Sequence, residues 1–327
     1  MNRRVIRLIL AAGALLALTL PGAPKTAHPP PYRLHPLAGD AFTPPPILES
    51  DFGGDYARVA YVPVAASDQA AQTFLTAISA PPQQDLTFDN AGKKLKYVAA
   101  GDLSKPAKMI FVFVHGLGDD RWQGTHEKLF GGSFARLRRL LAENDAIYLA
   151  PDFSGYGREA AAQVAALIAD YAGRSPGAMV FVGCLSLGGK VCWRLAEDAG
   201  EASPLRGILV FSAPVDRGLL KHVATPPVSV YLSIGTKDAF TGWKTEDAFF
   251  RDVKTAAPDY PIRLTIFDNG EHATAMRLTD WVAVLNWMLA QGETSNKSVA
   301  AGIASKPPCP RPRPDAGRAT TSYCGTP

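Results

Sequence analysis

Six largely apolar runs punctuate the middle of this 327-residue chain. They read MIFVFV (109–114), AIYLA (146–150), MVFVG (179–183), GILVFS (207–212), VSVYLSI (228–234) and IRLTIF (262–267). None but the last, where Arg263 and Thr265 intervene, alternates polar with apolar residues. Strands of this kind must be covered on both faces, which is the condition of a parallel sheet sandwiched between helices. Helical spacing appears between the runs. Ser133 is placed to cap a helix whose Phe134, Leu137 and Leu141 share a face. Val164, Ile168 and Tyr171 repeat the pattern, as do Leu278, Trp281, Leu285 and Met288. Ahead of them, QDLTF and KLKYVAA flank Asn90-Ala91-Gly92, a hairpin signal. The order predicts an α/β fold, with a mostly parallel, doubly wound sheet of about eight strands and helices on both faces.

The ends of the chain read differently. Residues 1–27 hold Arg3, Arg4 and Arg7 ahead of an apolar run from Leu8 to Leu20. That run is short for a membrane span and suits a secretory signal peptide, or a signal anchor at residues 5–20 if uncleaved. The expectation is an exported protein, periplasmic or secreted, touching the membrane only through this segment. Residues 28–84 read as a Pro-rich linker and edge segment, with a short helix around Ser67–Ile78. The folded domain spans 85–292, and 293–327 reads as a flexible Pro-rich tail.

Composition narrows the function classes. Hydrophobic residues make up 47% and charged residues 20%, ordinary for a folded domain. A net charge of +4, evenly spread, gives no footprint for nucleic acid. No Cys/His spacing resembles a metal site, and no cofactor motif is present. Of the four cysteines, Cys309 and Cys324 could pair in an oxidising compartment, closing a loop in the tail.

In a sheet of this kind the reactive residues sit at the carboxyl ends of strands. After MVFVG comes Cys184-Leu185-Ser186-Leu187-Gly188-Gly189, then a helix. A nucleophile elbow needs a sharp strand–turn–helix corner with small residues two before and two after the serine. Gly188 meets the second need, and Cys184 is small enough to stand in for the first. Two other readings stay open: Cys184 as the nucleophile, or a glycine-softened turn with no chemistry. After VSVYLSI comes Gly235-Thr236-Lys237-Asp238, and after IRLTIF comes Asp268-Asn269-Gly270-Glu271-His272. Ser186, Asp238 and His272 therefore follow one another at strand ends, 52 and 34 residues apart. In that order serine attacks, histidine takes its proton and aspartate orients the imidazole. Asp216 is the alternative acid. His126 and His222 lie in loops away from strand ends and read as surface residues. Backbone N–H groups of Leu187 and Leu117 are candidates for an oxyanion hole. Gly116 lets the loop approach, and His115 braces it.

These pieces, FVHGLG, APDFSGYG, CLSLGG, GTKD and GEH, resemble the α/β-hydrolase fold serine hydrolases over residues 85–292. The spacing is similar to that of small uncapped carboxylesterases and the dienelactone-hydrolase-like group. The departure is Cys184 where that family usually has glycine. The resemblance implies a serine ester hydrolase, carboxylesterase- or lipase-like, that needs no cofactor and acts on small-molecule, lipid or polymer-borne esters. The loop 119–132 would then serve as whatever lid exists, with Trp122 and Phe130 lining a substrate pocket. An acyltransferase or peptidase could use the same three residues. A non-catalytic envelope-binding protein on the same scaffold is the rival from another class.

Overall fold

The computed structural model describes residues 31–40, 42–61, 81–200, 203–216, 218 and 228–291. The expected signal segment, the helix at 67–78, His222, the tail and the Cys309–Cys324 pair lie outside the described residues. Described residues from Tyr32 onward belong to one unit. Among them no helix is long and apolar enough to cross a membrane.

Ten strands form a single sheet: β1 (Ile47–Asp51), β2 (Tyr56–Val59), β3 (Gln83–Asn90), β4 (Lys93–Ala100), β5 (Met109–Val114), β6 (Ala146–Pro151), β7 (Met179–Leu185), β8 (Leu205–Phe211), β9 (Ser229–Gly235) and β10 (Ile262–Phe267). Their spatial order is β1-β2-β10-β9-β8-β7-β5-β6-β4-β3. The six apolar runs are β5 to β10, paired parallel throughout. β3 and β4 form the antiparallel hairpin, with Asn90 opposite Lys93 across the turn. Ala91 and Gly92 both take positive φ there, 53° and 86°, as a two-residue hairpin of this twist demands.

The helices are α1 (Ser133–Glu143), α2 (Arg158–Arg174), α3 (Gly189–Glu197), α4 (Trp243–Ala256), α5 (Thr274–Arg277) and α6 (281–291). They cover the sheet in two apolar clusters. One packs Val164, Ile168, Val191, Cys192, Phe249 and Phe250 against one face. The other packs Phe134, Leu137, Leu141, Trp281, Leu285 and Met288 against the opposite face. Burial on both sides explains why β5, β6 and β9 are buried at every residue, while β10, beside the short β2, keeps Arg263 and Thr265 partly exposed.

Two local expectations change. Ser133 does not cap α1; Gly132 occupies that place, in a left-handed conformation (φ 77°). The Ser133 hydroxyl is instead buried, donating to Met276 O at 2.8 Å and accepting from Trp281 Nε1 at 2.9 Å. It therefore joins α1 to α5 and α6.

The Pro-rich stretch before residue 61 is also more than a linker. β2 adds to the sheet parallel to β10, and β1 pairs antiparallel with β2. Leu34 and Leu37 are buried in the cluster under α6. Asn286 accepts from the Leu34 N–H and donates to its carbonyl, and Asn144 does the same for His35. Two asparagine side chains thus supply the hydrogen bonds that an irregular buried backbone cannot make with itself.

Candidate active site

The candidate residues gather along one edge of the sheet, beyond the carboxyl ends of β5, β7, β9 and β10. Ser186 opens the 3-10 turn Ser186–Gly188 between β7 and α3. Its φ is 54°, a left-handed conformation that a non-glycine residue adopts at a cost of roughly 1–2 kcal/mol. Such strain persists only where the surroundings over-determine it. Here they do. A Cβ on Gly188 would lie 2.6 Å from His115 O and 2.9 Å from Val114 O. One on Gly189 would lie 2.6 Å from the Ala213 Cβ. Only glycine lets the elbow sink that far between the ends of β5 and β8.

His272 follows β10 and Asp238 follows β9. His272 Nδ1 lies 2.8 Å from Asp238 Oδ2. An ionised carboxylate can only accept, so Nδ1 carries the proton and the Nε2 lone pair remains for a second partner. Burial works to raise the Asp238 carboxyl. The His272 bond and the amides of Thr241 and Phe240 outweigh it and hold the group below its usual value. Those amides donate to Oδ1 at 2.9 and 2.8 Å. Asp238 is thus fixed at one oxygen by backbone and offers the other to histidine. Phe240 sets its ring edge-on to the His272 imidazole, 4.9 Å between centroids, and is 81% exposed.

The loop after β5 is held at several points. Gly116 N–H donates to Gln123 Oε1 at 2.9 Å, and Gly116 O accepts from Tyr156 Oη at 2.5 Å and His115 Nδ1 at 2.9 Å. His115 is buried and stacks on Phe153 at 4.2 Å. A Cβ on Gly116 would sit 3.4 Å from the Ser186 Cβ, so this loop borders the serine. With the Gly116 amide committed to Gln123, the next amide, Leu117, is the candidate donor to an oxyanion, paired with Leu187 in the elbow turn. Tyr156 does not stand out in sequence, because its partner is a backbone carbonyl 40 residues away. Gln123 reaches back seven residues within its own loop, to a backbone amide that no side-chain pattern marks.

Loop 119–132 is anchored. Arg121 pairs with Asp152 at 2.6 Å and Asp85 at 2.9 Å, and buried Arg138 pairs with Glu127 at 2.5 Å. A Cβ on Gly124 would collide with Phe113 at 2.4 Å and Tyr148 Oη at 2.5 Å. Phe130 packs edge-on against Phe134 and belongs to the core margin. Trp122 is half exposed with Arg121 over its ring. A cleft of about 730 Å³ beside the β5 loop is lined by His115, Asp119, Asp120, Phe153, Lys94 and Lys96, among others.

The alternative acid and two residues not favoured for catalysis are placed elsewhere. Asp216 is exposed and caps its own turn through the Gly218 amide at 2.7 Å. Asp268 pairs with Arg58 at 2.6 Å. His126 Nδ1 accepts from the Lys128 and Leu129 amides. Among the described residues, no group of three or more His, Cys, Asp or Glu could hold a metal ion.

Cys184 is bonded to Cys192 in a disulfide, Cα–Cα 6.1 Å, and both are fully buried. This removes Cys184 as a nucleophile, since its sulfur is committed. It is also more than the small spacer its position suggests. The signal was present in sequence: a strand–turn–helix corner folds the chain back beside itself, bringing the second helical turn alongside the strand end.

The sequence pattern of the "Alpha/beta hydrolase family" matches residues 111–317, more than half of the chain. The chain belongs to the alpha/beta hydrolase family. A solved structure shares the fold. A thermostable esterase is similar at 14% identity with a TM-score of 0.51, over 64% of this chain. This chain spans 62% of that esterase's length. An esterase from Pyrococcus furiosus is similar at 13% identity over 72% of this chain and 98% of its own, with a TM-score of 0.48. No curated relative matches the sequence.

Proposed function

We propose that this alpha/beta hydrolase is an exported serine hydrolase that cleaves carboxylic esters through an acyl-enzyme on Ser186. The observation that carries the reading is the 2.8 Å bond from His272 to Asp238, at the same sheet edge as a serine held at φ 54°. A hydrogen bond that fixes the imidazole with Nδ1 protonated leaves Nε2 as the base for a serine hydroxyl. Ser186 Oγ attacks the ester carbonyl as His272 takes its proton. The negative oxygen is met by the Leu117 and Leu187 amides. His272 returns the proton to the departing alcohol. Water, deprotonated in turn by His272, attacks the acyl carbon; as the bond to Oγ breaks, His272 returns the proton to Ser186 and the acid leaves. Asp238 stays ionised throughout and stabilises the imidazolium.

Export is supported by the charged-then-apolar N-terminus and by a disulfide in the core, which forms and persists in oxidising compartments. Exposed Leu117 and Phe240 suit an ester substrate approaching from open solvent, whether small, lipid or polymer-borne.

The test is hydrolysis of p-nitrophenyl esters from acetate to palmitate by the wild type and by Ser186→Ala. Turnover that falls to background in a folded Ser186→Ala protein is the expected result. Equal turnover in the two proteins would overturn the reading.

A further inference from the structure

We propose that the Cys184–Cys192 disulfide is a positioning element for the nucleophile, locking the two arms of the elbow so that Ser186 keeps its attacking geometry. The proposal rests on Ser186 being the nucleophile.

The placement argues for it. Cys184 stands two residues before Ser186 on β7, the strand flanked by β5 and β8. Its backbone is paired with Val114 on one side and Val210 on the other, so one end of the bond is set in the middle of the sheet. Cys192 lies on α3, whose first turn follows the serine. The bond closes residues 184–192 into a covalent ring, and the left-handed Ser186 lies inside it.

An elbow relaxes most easily when its strand and helix splay apart, letting the serine return to an ordinary conformation. Tight packing opposes this at Gly188 and Gly189, where a single added carbon would collide. A covalent bridge adds an upper limit to the separation of the arms: at 6.1 Å the two Cα atoms already stand near the top of the roughly 4.4–6.8 Å that a disulfide spans. A shift of about 1 Å at a nucleophile can cost on the order of 100-fold in rate. Both sulfurs are shielded, so the tether is protected from solvent while the fold is intact.

The test uses the full-length protein and a Cys184→Ala/Cys192→Ala double variant, both shown to be folded by circular dichroism at the assay temperature. Three quantities are read: the second-order rate of fluorophosphonate labelling, kcat and KM for p-nitrophenyl acetate. The expected result is a roughly tenfold or greater fall in labelling rate and kcat, with KM within about threefold, because the chemistry and not the binding is misaligned. A folded double variant that labels and turns over within about twofold of the wild type would overturn the proposal while leaving Ser186 as nucleophile. Wild-type protein that is not labelled at Ser186 would instead remove the reading beneath it.

Should the double variant not fold, the wild type decides the matter. Dithiothreitol, which supplies two electrons and two protons to give two thiols, is applied in sub-denaturing urea. Activity that falls with the reduced fraction, at unchanged circular dichroism, and returns on reoxidation supports the tether. Reduced protein that retains full labelling rate refutes it.

Discussion

His272 donates its Nδ1 hydrogen to Asp238 Oδ2 across 2.8 Å, and Asp238 Oδ1 is held by the Phe240 and Thr241 amides. The aspartate is therefore clamped before it meets the histidine. Asp238→Asn keeps the shape but offers an N–H where a lone pair is needed, which selects the wrong imidazole tautomer. Its kcat should fall roughly 10³–10⁴-fold with little change in KM. Steady-state kinetics of the folded variant check this.

Gly188→Ala probes the elbow from the other side. The added carbon would meet two backbone oxygens, His115 O at 2.6 Å and Val114 O at 2.9 Å, and neither can swing away as a side chain would. Either the helix shifts or the β5 loop does. We expect a loss of roughly 1–3 kcal/mol in urea unfolding, together with a fall in activity larger than that of surface Gly→Ala controls.

The three candidate catalytic residues were legible because each follows an apolar run, and a parallel sheet puts the ends of such runs on one edge. The Asn90-Ala91-Gly92 hairpin was legible for a similar local reason: Gly92 admits positive φ at no cost, and the flanking runs are strand-like, although the turn centres on Ala91-Gly92 and so sets Ala91 at a positive φ it does not favour. Part of what was not legible depends on pairings between distant parts of the chain, and part on which way a side chain turns within one loop or corner. Leu34 and Leu37 lie in Pro-rich text with no period of 2 or 3.6, so nothing local marks them as buried; Asn144 and Asn286 make that burial tolerable. Phe130 and Trp122 sit in one loop and look alike in sequence, yet one packs on Phe134 and the other faces solvent. Cys184 occupies a place where glycine is usual, and its size alone accounts for it there; the bond to Cys192 depends on the two sulfurs facing each other across the corner.

Glu246 lies in the first turn of α4, fully buried. Burial first, and the Asp238 charge second, push its carboxyl well above the ordinary value, against a smaller pull from the Ala213 amide. The folded state therefore keeps a proton that the unfolded chain releases above about pH 4.5. Stability falls as pH rises from there toward the folded-state value, by at most about 1.4 kcal/mol per pH unit. Glu246→Gln mimics the neutral acid and removes that slope. Its melting temperature should exceed that of the wild type at pH 8 and approach it at pH 4. Thermal melts across this range measure the difference.

Leu34→Ala tests whether the N-terminal stretch is part of the folded core. Leu34 is 2% exposed in the cluster beneath α6, with its backbone held by Asn286. Truncation there should cost roughly 2–4 kcal/mol in denaturant unfolding, as for other core leucines. A true linker would show a change within about 0.5 kcal/mol.

The account turns on Ser186 being an activated nucleophile. Reaction with a fluorophosphonate, followed by mass mapping of the labelled peptide, addresses that claim most directly, with His272→Ala as the control. The predicted result is one label per chain, on Ser186, and slow or absent labelling once His272 is removed. Ester turnover by the wild type with no label on Ser186, or a label of equal rate in His272→Ala, would contradict it.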